Sequence, residues 1–161
     1  MKLALISAVT LMLAGPFAAS ADTIEPASTY SQKDTALLRA LDKITGRSTD
    51  FEMKVGEPKV YGSLRVDLDV CFQKPPEEPP ESVAFLRITS ATSKQVQTMA
   101  VPRDLNEEEL AVTESEEAEV RFSGWMFAST PGLNALEHPV YDIWVIHCSA
   151  AVPPTPIDDI E

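Results

Sequence analysis

Two cysteines, Cys71 and Cys148, are the only ones in the chain, and each falls in a run that reads as a β-strand. Ahead of them, Met1-Lys2 is a short basic start and residues 3–13 are apolar but too few to span a bilayer. Ala19-Ser20-Ala21 then offers the small residues that a signal peptidase reads. Residues 1–21 are therefore expected to be a cleaved secretory signal that delivers the remainder to an oxidising space, the periplasm or the exterior. There the two thiols are expected to form one intramolecular disulfide. The bridge would close more than half of the mature chain, worth about 4 kcal/mol by the chain-entropy argument. Any fold must then bring two strands that are distant in sequence side by side.

Alternation of apolar and polar residues supplies the strands. In residues 60–72, Leu64, Val66, Leu68, Val70 and Phe72 point to one side, while Arg65, Asp67 and Asp69 point to the other. By this count Cys71 falls on the polar side. The disulfide must then lie beyond the sheet face, at an edge, or past a bulge that shifts the parity. Residues 36–55 have two readings. Leu37, Leu38, Leu41 and Ile44 recur at helical spacing after Asp34. Alternatively residues 37–44 and 48–55 form a hairpin turning at Thr45-Gly46-Arg47, since Phe51, Met53 and Val55 alternate; the hairpin is preferred.

Further along, residues 82–89 are apolar on both faces and suit an interior strand. A strand over 120–128 contains Ser123-Gly124, where glycine permits a bulge or a close backbone approach. Residues 140–148 carry Tyr141, Ile143 and Val145 on one face and Trp144 and Ile146 on the other, which predicts a central strand. Between these runs lie segments that cannot join a ladder. Residues 73–81 hold four prolines, Pro75, Pro76, Pro79 and Pro80, and are expected to run as extended polyproline structure. Residues 22–34 read as a disordered leader, 90–119 as an acidic flexible insert with a turn or two of helix near 105–112, and 150–161 as a Pro-rich acidic tail.

The domain over residues 35–149 is thus expected to be all-β, a small antiparallel β-sandwich or barrel with one disulfide and disordered N- and C-terminal tails. Its charge limits its partners. The 161 residues carry a formal charge of −12, more negative by one once Lys2 leaves with the signal. Nucleic acid and anionic head groups call for clustered Lys and Arg, so neither is expected as a partner, nor is membrane insertion after signal cleavage.

The strings at 41–47 (LDKITGR), 71–81 (CFQKPPEEPPE), 84–86 (AFL), 122–128 (FSGWMFA) and 135–144 (ALEHPVYDIW) together resemble an uncharacterised bacterial family, domain-of-unknown-function family twenty-one fifty-five. The resemblance covers most of residues 36–148. It implies a small secreted or periplasmic protein and carries over no catalytic residue.

Chemistry-bearing residues concentrate in 121–148, which holds both tryptophans and both histidines. A metal centre would have to use His138, His147, Glu137 or a cysteine, and both cysteines are committed to the disulfide. No cofactor or metal is expected. His138 before a proline is expected to hydrogen-bond a turn. Ser129, Glu137, His138 and Asp142 could serve a periplasmic hydrolase acting on an envelope substrate only if they converge in one cleft. Binding fits the composition better. Trp125, Phe127, His138 and Tyr141, together with Pro75, Pro76, Pro79 and Pro80, form the candidate interaction surface of a non-catalytic domain that contacts an envelope protein or cell-wall component.

Overall fold

The computed structural model describes residues 29–111 and 118–150. The expected signal, most of the leader and the C-terminal tail lie outside the described residues. In chain order the elements are β1 (Ser31–Lys33), β2 (Thr35–Asp42), β3 (Arg47–Lys54), β4 (Lys59–Tyr61), β5 (Leu64–Gln73), β6 (Ser82–Ser90), β7 (Arg103–Asp104), α1 (Glu107–Ala111), β8 (Val120–Phe127) and β9 (Tyr141–Ser149). They build two antiparallel sheets, as the alternation predicts. One runs β7-β4-β5-β6-β8 with β1 also on β5, and the other runs β3-β2-β9. Residues from both sheets share one core, including Leu38, Ala40, Met53, Leu64, Val66, Leu86, Ile88, Met126, Ile143 and Val145.

Residues 35–54 form the hairpin rather than the helix. Its four-residue loop follows Asp42, whose Oδ1 accepts from the amides of Ile44 at 2.9 Å and Thr45 at 3.2 Å. Gly46 closes the loop at φ 67°. The long strand expected over 60–72 is instead two strands. Gly62 and Ser63 form a two-residue hairpin loop pairing Tyr61 with Leu64, and Gly62 sits at φ 59° as the first central residue of such a loop. Alternation continues through the loop, which hides it from a periodicity count.

Cys71 reaches Cys148 because both strands are bulged. The β5–β6 register shifts between Leu68 and Val70, and the β2–β9 register shifts across Ile146, where Leu37 faces His147 and Leu38 faces Val145. Each extra residue flips the parity of the residues after it, so Cys71 and Cys148 both turn inward and are buried. Their bridge joins the two sheets, with Cα atoms 5.8 Å apart. Beside it, the Cys148 amide donates to Ser82 Oγ at 3.2 Å.

Several expectations need correction. β9 is an edge strand; its second apolar face is covered by its own preceding connection, where Trp144 shares a hollow with Leu41, Pro131, Ala135 and Leu136. Order begins earlier than Thr35, because β5 is longer than β4 and leaves free edge at Cys71–Gln73, which β1 takes up. The proline-rich connector is a closed hairpin loop: the Lys74 amide donates to Glu81 O at 2.9 Å, and the Glu78 amide to Pro75 O at 3.1 Å.

The described part of the acidic insert folds onto β4 through β7. Gln95, 1% exposed, organises it. Its Nε2 donates to Glu109 O at 3.2 Å and its Oε1 accepts from the Thr92 amide at 3.0 Å. Arg103 grips the Glu109 carboxylate with two nitrogens at 2.8 and 2.6 Å, and that contact, with the Asn106 amide, holds the Glu109 pKa down at about 2. Asn106 and Glu109 also exchange side-chain to amide bonds at 2.9 and 3.1 Å, the reciprocal cap that starts α1.

Candidate functional site

The bulge in β5 that turns Cys71 inward also turns Val70 and Phe72 outward. They join the outward residues of β6 and β8 through register: Phe72 faces Val83, Val83 faces Phe127, Val70 faces Phe85, and Phe85 faces Trp125. The result is an apolar outer face on one end of the larger sheet, where a solvated face would carry polar residues. Tyr30, just before β1, completes a hollow of about 340 Å³ with Phe72, Val83, Trp125 and Phe127.

Aromatic packing sets its shape. The Trp125 ring meets Phe85 edge-on at 5.3 Å and Phe72 at 6.2 Å with a 35° tilt. Trp125 still leaves 40% of its surface open. Lys74 Nζ lies 5.6 Å from the Tyr30 ring centroid and reaches Glu78 at 3.4 Å, which ties the proline-rich loop to the rim. Glu81 anchors the other side of that loop. Burial pushes its carboxyl pKa up, but bonds from the Ser129 hydroxyl and amide and the Ser82 amide outweigh this and hold it below the usual range.

The candidate surface therefore divides. Trp125 and Phe127 lie in the hollow, with Pro75 half-buried and Pro76, Pro79 and Pro80 exposed on the adjoining loop. His138 and Tyr141 belong to the opposite end of the sandwich. Tyr141 pairs with Asp42 beside the β2–β3 turn and packs edge-on against Tyr61 at 5.3 Å. His138 stacks on Tyr141 at 5.4 Å, and its Nδ1 accepts from the amides of Val140 at 3.3 Å and Tyr141 at 3.1 Å. It is the turn-bonding histidine that its sequence context predicts. Burial lowers its pKa, Arg121 and Lys43 lower it further, and Asp142 opposes them.

Sequence reasoning missed Tyr30, Phe72, Val83 and Phe85 as members of this face. Tyr30 sits in what reads as leader, and unbroken alternation assigns Phe72 to the core. Only the bulge moves it out.

Three of the four residues considered for hydrolysis have other commitments, and the fourth, Glu137, is exposed. Ser129 bonds Glu81, Asp142 pairs with Lys43 at 2.7 Å, and His138 Nδ1 is taken by the backbone. A second hollow of about 340 Å³ is lined by Thr35, Glu52, Lys54, Glu57, Lys59 and Asp104, and four of its charges pair: Lys54 with Glu57 at 3.5 Å, and Lys59 with Asp104. Among the described residues no group of three or more His, Cys, Asp or Glu side chains is placed to hold a metal ion, and no helix is long and apolar enough to cross a membrane.

Comparison with known proteins places these features in a family context. Uncharacterized protein RP359 of Rickettsia prowazekii (strain Madrid E) is 27% identical over 109 residues, covering 68% of this chain and 57% of that protein. The chain thus matches little more than half the length of this relative. No solved structure matches. The profile of DUF2155, described as an uncharacterized protein conserved in bacteria, matches residues 36–148, from the start of β2 to the second half of the disulfide, and the chain belongs to that family.

Proposed function

We propose that the protein is a non-catalytic periplasmic β-domain that binds an envelope protein or cell-wall component through the Tyr30–Phe72–Val83–Trp125–Phe127 face. The observation that carries this reading is the exposure of Trp125 in an aromatic hollow on the outer side of a sheet whose inner side already supplies the core. Aromatic residues held by neighbouring rings lose little entropy on binding and bury much area, which makes them effective anchors. The sandwich beneath is stapled at the same end by the disulfide, so the face is presented on a rigid support. The secretory character of residues 1–21 and the acidic composition support the compartment and a polar, soluble domain.

The test is in vivo crosslinking in the native envelope followed by purification of the mature chain and of its Trp125→Ser variant. The wild-type chain should recover one dominant partner at near-equal amounts, and the variant should lose roughly tenfold or more of it while keeping its thermal unfolding transition. Equal recovery by both chains would remove this face from the reading.

A further inference from the structure

Most arginines of this acidic chain are held by carboxylates, and one is not. Arg39, Arg65, Arg87, Arg103 and Arg121 each form an ion pair with an Asp or Glu. Arg47 forms none with the described residues. The reason is local: Arg47 faces Asp42 across the β2–β3 ladder, but Asp42 Oδ1 is turned into the loop, where the amides of Ile44 and Thr45 hold it. The Arg47 guanidinium is left to line a hollow of about 190 Å³ with Asp42, Thr45, Tyr61, Thr98, Met99 and Val101. This hollow shares no residue with the aromatic face and lies at the other end of the sandwich.

A second group in it is also incomplete. Tyr61 is 1% exposed, and its hydroxyl has no hydrogen-bond partner within reach among the described residues, with Thr49 nearby. A buried donor in that position is costly until something accepts from it. The surroundings are apolar: Met99 is 65% exposed, Val101 47%, and Ile44 on the neighbouring loop 75%.

We propose that this hollow binds the α-carboxylate end of an amino acid or of a peptide chain, one with an aliphatic side chain. Arg47 presents paired N–H donors that match a planar carboxylate, and the Thr98 and Tyr61 hydroxyls add donors on the same side. A plain anion would be repelled by Asp42 in the same hollow. A ligand with nitrogen on the carbon next to its carboxylate instead gives Asp42 a donor while Arg47 takes the acid. The aliphatic side chain then lies against Met99 and Val101. The volume is below the roughly 300 Å³ at which pockets for larger ligands begin, so it suits a single terminal residue.

The test is a titration of the isotopically labelled mature chain with N-acetyl-L-leucine, L-leucine, N-acetyl-L-leucinamide and isocaproate, followed at the amide resonances of Thr45, Arg47 and Val101. N-acetyl-L-leucine or L-leucine should shift them saturably, with a Kd on the order of a millimolar. The leucinamide lacks the carboxylate and isocaproate lacks the nitrogen, and each should bind roughly tenfold or more weakly. The tighter of the first two probes tells whether the source is a free amino acid or the end of a peptide. Arg47→Gln should lose the shifts at Thr45 and Val101 while keeping the thermal unfolding transition, because the Arg47 side chain is exposed and pairs with none of the described residues. The absence of saturable shifts with both leucine probes would overturn the proposal, as would leucinamide binding as tightly as N-acetyl-L-leucine or titrations unchanged by Arg47→Gln. Isocaproate binding as tightly as N-acetyl-L-leucine would overturn it too, since Asp42 would then select nothing.

Discussion

Gly62 carries two requirements at one position. Its φ of 59° belongs to the left-handed region that side chains avoid, and an added Cβ would lie 2.8 Å from Tyr141 Cε2 and closer still to the phenol oxygen. The Tyr141 ring cannot simply retreat, because Tyr61 and His138 pack against it. Gly62→Ala is expected to destabilise the fold by about 2 kcal/mol or more, read as a lower urea midpoint at unchanged slope. Gly124 presents a milder case: its virtual Cβ meets the mobile amide end of Asn134, which donates to Trp125 O at 2.8 Å. The close-approach reading of Gly124 is thus the right one, while the bulge in β8 falls near Arg121, where the register with β6 shifts.

His138 gives the molecule a pH dependence with a definite sign. The folded imidazole titrates below its ordinary 6.5, so between the two values the unfolded chain binds more protons. Its contribution is intact above about pH 6.5 and is lost as the pH falls from there through the lower folded value. His138→Asn keeps an acceptor for the Val140 and Tyr141 amides but cannot titrate. The difference in denaturation midpoint between pH 7 and pH 5 should therefore shrink in that variant.

At the scale of elements, the bulges decide which residues form the core and which form the face. Asp69 is the extra residue in β5, exposed, with Oδ1 and Oδ2 each accepting from Arg87 at 2.8 Å. Deleting Asp69 would leave Leu68 facing Leu86 and Val70 facing Phe85 in a regular ladder, so Cys71 would still turn inward and Val70 and Phe72 outward. The expected outcome is a variant that keeps its disulfide, with no titratable thiol in the denatured mature chain, and keeps the aromatic hollow. Two titratable thiols would mean that another residue supplies the bulge, so that the deletion had flipped Cys71 outward. Parity counting identified the conflict at Cys71 and named a bulge as one resolution. It could not locate the bulge, because a single extra residue leaves no mark in composition or periodicity and is held in place by cross-strand partners. Gly62-Ser63 is the reverse case: a glycine followed by a small polar residue is a legible hairpin signal, overridden in the reading by the apolar residues on either side of it.

For the whole molecule, the disulfide joins two sheets that share the core but are not hydrogen-bonded to one another as one ladder. Its two ends are 77 positions apart, so cutting it releases a long loop in the unfolded chain and should cost about 4 kcal/mol. Cys71→Ala combined with Cys148→Ala should show this loss in equilibrium denaturation. Loosening should appear first where β9 meets Gln73 and Ser82, read as faster amide exchange at Cys148 and its neighbours in the reduced wild-type chain.

Local sequence determined the strand content, the β2–β3 turn, the disulfide partners and the role of His138, since alternation, turn chemistry and a cysteine pair act over a few residues or admit a single pairing. Tertiary structure alone decided the two-sheet order, the edge position of β9, the ordering of β1 and the Gln95–Arg103–Glu109 network, and the outward turn of Phe72. Each of these depends on which strand edge is left free and which register a neighbour imposes, and those are properties of contacts between segments far apart in the chain.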